Sequence, residues 1–246
     1  MIKISNIKVS KIWFWAVFVV LGIIALQIPV NVLAGAKVKF TLFDLFAPIS
    51  GAFLGAGFGA IAVVLMQTLN IMLHGFSGVQ SDSILRLVAT LRFLPLILGV
   101  LYFSLSSKVF KGDSLKGVWI LAVPLFSILA FNLHPIGRTV WYYSLFWLIP
   151  LAVWPARNRF LLARALGSTF TAHAVGGAVW IWAFNLPANV WVSLIPVVAL
   201  ERSIFALGIA ASYILMNNVL AILSIKKLLP KTLSFDKKYI VIKWGF

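Results

Sequence analysis

Between Lys11 and Lys37 the chain carries no charged side chain, and the same holds for 45–81, 117–137, 139–156, 165–200 and 203–225. About 20 apolar residues in a helix cross the roughly 30 Å hydrocarbon layer of a bilayer. A backbone buried in lipid must satisfy its own hydrogen bonds, and runs of this length do so as helices. With 62% hydrophobic and 11% charged residues, the expected fold is all-α: a polytopic integral membrane helical bundle of about six to eight transmembrane helices. The whole chain, 1–246, reads as one integral membrane domain with a basic N-terminus at 1–11 and a basic C-terminal tail at 226–246. The first run, at 25 residues, exceeds a secretory signal core, so it is read as a span.

The run 45–81 is too long for one ordinary span. Pro48, Gly51, Gly55, Gly57 and Gly59 gather where a chain folding back on itself would turn, and glycine takes the positive φ that tight turns require. The expectation is a short glycine-rich helical hairpin at 43–74. Arms of about 15 residues measure about 22 Å, so the turn would lie at membrane depth, covered by protein or facing water. The alternative is one long tilted helix on which Gly51, Gly55 and Gly59 form a small-xxx-small face. The hairpin gives eight spans, near 12–34, 43–56, 59–74, 86–106, 117–133, 139–155, 164–184 and 190–224; the single helix gives seven.

A formal charge of +16 raises the question of nucleic acid. The basic residues are divided among short connections and form no stripe beside stacking aromatics, which argues against that partner. Retention of Lys and Arg on the cytoplasmic side explains them better. With eight spans and both termini cytoplasmic, Lys37, Lys39, Arg86 and Arg138 fall in outer connections, Arg92 and Arg202 lie within spans, and the remaining basic residues are inside. The seven-span alternative, with the N-terminus outside, separates them nearly as well. Localisation is therefore expected to be the cell membrane, multi-pass. The absence of cysteine removes disulfides, thiolate chemistry and Cys-ligated zinc.

An ordered pattern runs from about Gln27 to Leu105: a Lys…Asp run after the first span, a proline, the turn "GAFLGAGFGA", an arm ending "LNIMLHG", a short polar loop, and a span opening "SDSILRL". This resembles the substrate-binding S component of energy-coupling-factor (ECF-type) vitamin and micronutrient transporters. The later "AHAVGG" around His173 is similar more weakly. The resemblance implies two short helices, an outer loop around His74–Asp82 that closes over a ligand, and partners in a transmembrane coupling subunit and ATPase subunits. The family usually has six spans where eight are counted here, and Ala16, Gly22 and Ala25 do not keep the Ala-x-x-x-Ala spacing of its first helix.

Ionisable groups inside spans are costly and usually face a cavity or a partner. Glu201 and Arg202 sit within "LIPVVALERSIFALG", in a stretch that must tilt, break near Pro196, or extend beyond the membrane. Adjacent residues differ by about 100° around a helix, so the two are expected to point different ways, one toward solute and one across the bundle. A structural bridge between helices is the plainer possibility. His173 lies among small residues, where a bond to a backbone carbonyl competes with a bond to solute. No His-x-x-x-His pair points to metal, and His74 and His134 are placed in outer loops. Asp82 and Arg86 share a face at i,i+4, which local pairing explains, but they stand at the mouth of the proposed lid, with Arg92 deeper. The candidate substrate-binding residues are thus Asp82, Arg86, Arg92, His173, Glu201 and Arg202. Trp141, Tyr142, Tyr143 and Trp147, with Trp180, Trp182 and Trp191, read as an interfacial belt; any that turn inward would stack on a planar ring.

Other chemistries find less support. Gly55-x-Gly57-x-Gly59 lacks the third-glycine offset of a dinucleotide loop, Ser168 lacks the elbow spacing of a nucleophile, and five acids are too few for paired Asp-rich metal motifs. A polytopic membrane enzyme using Glu201 and His173 as base and proton carrier is one alternative. A scaffold subunit packing through Ala206-x-x-x-Ala210 is another. The expectation is a non-enzymatic, membrane-embedded binding subunit, in contact with membrane lipid, that takes up a small organic, vitamin-like solute. No cofactor is expected, and no Walker sequence is present, so ATP-driven energising would come from a separate module.

Overall fold

Gly55 determines how residues 42–74 fold. Its backbone lies at φ 90°, ψ 156°, a region open essentially to glycine alone. There the helix α2, Leu42–Leu54, stops and α3, Ala56–His74, begins. The two arms fold back closely enough that a β-carbon on Gly59 would lie 2.6 Å from the Cα of Gly51. On one straight helix these residues would be about 12 Å apart. The Ser50 hydroxyl, donating at 2.6 Å to the Ala47 carbonyl, also reaches the Gly59 carbonyl at 3.3 Å. The stretch is therefore a hairpin, and the single-helix alternative falls.

The structure is a computed structural model that describes residues 3–29, 41–74, 93–106, 117–225 and 236–241, all helix, turn or short connection apart from one isolated bridge between Pro29 and Thr41. Before the hairpin runs α1, Lys3–Gln27; after it come α4, Phe93–Leu105, and α5, Ala122–Leu133, the latter entered through a 3-10 turn at Val118–Leu121. A short α6, Pro135–Thr139, precedes a long 3-10 stretch, Trp141–Leu148, and α7, Ile149–Val153. Two long helices close the bundle: α8, Leu161–Phe184, and α9, Ala188–Ile225.

The expected single helix over 139–155 is instead 3-10, then a short α-turn, then 3-10 again at Trp154–Ala156. Pro150 and Pro155 account for the interruptions from Phe146 onward. Each lacks the N–H that would close an α-helical bond four residues back, and the carbonyl of Phe146, which faces the gap at Pro150, receives the Ile149 N–H instead. Pro196 behaves differently, because α9 continues through it. Of the three ways open to that segment, a break is excluded; 38 residues at the α-helical rise span about 57 Å.

At the centre, α8 packs against α4, α5, α7 and α9, and α4 also covers the hairpin. Small groups permit this closeness. Ser168 donates to the Gly99 carbonyl at 2.7 Å, Ser104 to the Gly51 carbonyl at 2.8 Å, and Tyr102 to the Pro150 carbonyl at 2.7 Å. The outer faces are apolar: Val17, Val20 and Ile24 on α1, Phe58 and Ile61 on α3, Phe126, Leu129 and Leu133 on α5, and Leu200, Ile204, Leu207 and Leu215 on α9 are all exposed. They recur at helical spacing, so each is a stripe. Among the described residues, two helical segments, Ala56–Leu73 and Ala188–Ile225, are long and apolar enough to cross a membrane.

Candidate functional site

On α8, Thr169 and His173 are one helical turn apart and so share a face. That face meets the 3-10 stretch on one side and α9 on the other. From the stretch, the Tyr143 hydroxyl lies 3.1 Å from His173 Nε2. The rings of Tyr143, Trp147 and Phe170 surround the imidazole, with centroids 6.0, 6.3 and 6.4 Å away. Trp147 fits because Gly177 has no side chain: a β-carbon there would stand 2.5 Å from the indole. His173 thus bonds to a side-chain hydroxyl and not to the backbone carbonyl expected for a plain buried histidine.

From α9, Arg202 reaches the same face. Its Nη1 donates to the Thr169 hydroxyl at 3.3 Å, and its guanidinium lies 4.4 Å from the centre of the Phe205 ring. Nη2 pairs with Glu201 Oε2 at 2.8 Å, with both side chains largely buried. This corrects the expectation that neighbours on a helix cannot converge. The 100° offset applies at the Cα atoms, and two long flexible side chains curl around the helix to close it. The pair is also intrahelical, where a bridge between helices had been the plainer expectation. By helical rise it lies about 20 Å along α9 from Ala188.

A second carboxylate joins this cluster from the hairpin. Asp44, in the first turn of α2, accepts from the Thr41 N–H at 2.8 Å, and it lies within electrostatic range of both Arg202 and Glu201. Arg202 also acts electrostatically on His173 and on Tyr143. Asp44, Tyr143, Thr169, His173, Glu201 and Arg202 therefore form one polar cluster where the hairpin, the 3-10 stretch, α8 and α9 meet. Among the described residues no group of three or more His, Cys, Asp or Glu side chains is placed to hold a metal ion.

Of the six expected site residues, the structure brings together His173, Glu201 and Arg202. Asp82, Arg86 and Arg92, and the loop beyond His74, lie outside the described residues. Three members of the cluster were not singled out from sequence as site residues. Asp44 carried a signal, since Thr41-x-x-Asp44 before an apolar run marks a helix start. Thr169 sits one turn before His173, a spacing that places both on one face. Tyr143 was grouped with the interfacial aromatics, and the belt reading is corrected for it, for Trp147 and for Trp191: all three are buried and pack on Phe131. Trp141, Tyr142, Trp180 and Trp182 are exposed. His134, placed from sequence in an outer loop, is buried at the N-cap of α6, where its Nδ1 accepts from the Ile136 N–H.

Comparison with protein-family models, with characterised proteins and with solved structures yields no match.

Proposed function

We propose that this chain is a multi-pass cell-membrane protein, with both termini cytoplasmic, that binds a small organic, vitamin-like solute. In this reading it is the substrate-binding subunit of an uptake system. Its energy comes from separate ATPase subunits, reached through a transmembrane coupling subunit. The observation that carries the reading is the distribution of polarity. Stripes of exposed Leu, Ile, Val and Phe face outward, while Asp44, Glu201, Arg202, Thr169 and His173 gather within the bundle. A soluble helical protein arranges these the other way, whereas membrane proteins keep ionisable groups inside and use them at solute and ion pathways.

The geometry suits binding. Two contacts in the cluster are long, 3.1 Å for Tyr143 to His173 and 3.3 Å for Arg202 to Thr169. A solute edge carrying two donors and two acceptors replaces both without leaving a buried group unsatisfied, and the cost of an unsatisfied group is what selects such a solute over a bare hydrocarbon. The short, 2.8 Å ion pair stays intact and fixes the guanidinium.

Mass spectrometry of small molecules extracted from the purified protein tests this. The expected result is a retained ring compound that is lost in His173→Leu while the variant still melts cooperatively. If no compound is retained and none of a panel of ring compounds shifts the melting of the wild type, the binding reading is overturned. Turnover of a retained compound that depends on Glu201 would instead make the chain an enzyme.

A further inference from the structure

At the end of the bundle where α8 begins, the tail segment 236–241 is fastened to α9 by two adjacent amides. Asn217 accepts from the Asp236 N–H and donates to the Asp236 carbonyl, both at 2.7 Å. Asn218 accepts from the Val241 N–H and donates to the Tyr239 carbonyl, both at 2.8 Å. Each side chain satisfies both a backbone donor and a backbone acceptor, as a neighbouring strand would. The Lys238 ammonium then donates to the Arg159 carbonyl at 2.6 Å, and the Tyr239 ring meets Tyr213 edge-on at 5.7 Å. The tail is thereby stitched from α9 across to the start of α8.

Between tail and helix lies an open groove of about 510 Å³, lined by Arg159, Phe160, Leu161, Leu162, Lys238 and Tyr239. Its lining is mostly hydrocarbon, with exposed Phe160 and Leu162, and its two charged groups are both cations. The Asp236 carboxylate is turned to the Lys238 N–H and does not line it. One turn into α8 and outside the groove's lining, Arg164 is buried against the rings of Phe103 and Tyr213 at 4.2 and 4.5 Å.

We propose that this groove seats an acidic phospholipid, its phosphate between Arg159 and Lys238 and an acyl chain along Phe160 and Leu162. Lys238 spends one of its three N–H groups on the Arg159 carbonyl, and a guanidinium carries five in a fork suited to phosphate oxygens. Basic pockets at the cytoplasmic face of a bundle recognise lipid headgroups by this chemistry. A free phosphate satisfies the cations but leaves the apolar lining wet; a phospholipid covers both. The tail is part of the site, because Lys238 and Tyr239 form one wall only while Asn217 and Asn218 hold them. The inference rests on the membrane part of the reading above and is independent of transport.

Native mass spectrometry of the full chain in detergent micelles, titrated with dioleoyl phosphatidylglycerol or dioleoyl phosphatidylcholine, tests it. Phosphatidylglycerol should bind more tightly. Arg159→Gln and Lys238→Gln, both at exposed positions, should each weaken it about fivefold, the effect of one cation near an acidic lipid, and weaken phosphatidylcholine less, because its choline offsets the phosphate charge. Asn217→Leu should reproduce the Lys238→Gln loss with every charge intact. Equal affinity for the two lipids, or a preference that survives both charge variants, overturns the proposal. So does complete displacement by glycerol 3-phosphate at the lipid's own concentration, which would make the groove a free-anion site. Flotation of the chain with phosphatidylcholine vesicles reports the membrane reading separately: a chain that does not float refutes that reading, while the micelle titration still decides the groove.

Discussion

Three glycines within five residues, Gly55, Gly57 and Gly59, should answer alanine substitution in three different ways. At Gly57 a β-carbon meets nothing within 4 Å and the residue is already helical, so alanine gains up to about 1 kcal/mol of helix propensity. At Gly55 the space is equally open, but φ is +90°, a conformation that costs an L-residue about 1–3 kcal/mol. At Gly59 the conformation is helical, but the β-carbon would stand 2.6 Å from both N and Cα of Gly51 and 2.8 Å from the Ser50 carbonyl carbon. Those atoms are backbone and cannot rotate away, so the arms must separate. Overpacking costs about 1–3 kcal/mol, occasionally more, and the propensity gain offsets at most about 1 kcal/mol of it. The expected order of stability is therefore Gly57→Ala at or above wild type, then wild type, then Gly55→Ala and Gly59→Ala below it. Thermal melting of the detergent-solubilised protein measures this, at about 2–4 °C per kcal/mol for a chain of this size. Stabilisation by all three alanines would refute the hairpin, because one long helix would welcome each of them.

Removing one partner of the buried Arg202–Glu201 pair should cost about 3–5 kcal/mol, so Arg202→Met should melt early; unchanged melting would show the pair to be solvated. Glu201→Gln keeps an acceptor for the guanidinium and should cost less than Arg202→Met, as chemical denaturation of both would show. Tyr143→Phe removes the hydroxyl beside His173 at the cost of about one hydrogen bond, 0.5–1.5 kcal/mol; in the proposed function it should also change solute affinity, whereas a purely structural bond would change melting alone. The sequence contains no cysteine, so single cysteines report topology directly. Asn189→Cys should react with an impermeant thiol reagent in intact cells and Lys237→Cys only after permeabilisation, and the reverse pattern would overturn the proposed orientation.

How far sequence reaches in this chain depends on the range over which each force acts. The uncharged runs determined that the chain is helical, and the turn at 55–59 was legible because a positive φ is a local demand that only glycine meets without strain. The approximate limits of α2, α3, α8 and α9 follow from the same local pattern of charge and glycine. Broken helicity at 146–156 was readable in principle from Pro150 and Pro155, whereas the continuity of α9 through Pro196 was not: one missing N–H breaks or spares a helix according to the packing around it. The polar cluster needed tertiary structure altogether. Asp44 and Arg202 are 158 positions apart in the sequence, and only the return of the hairpin against α9 brings them within electrostatic range. Arg202 and Glu201 illustrate the same limit at the shortest distance. Backbone periodicity sent them apart, yet both side chains are long enough to turn together and meet at 2.8 Å.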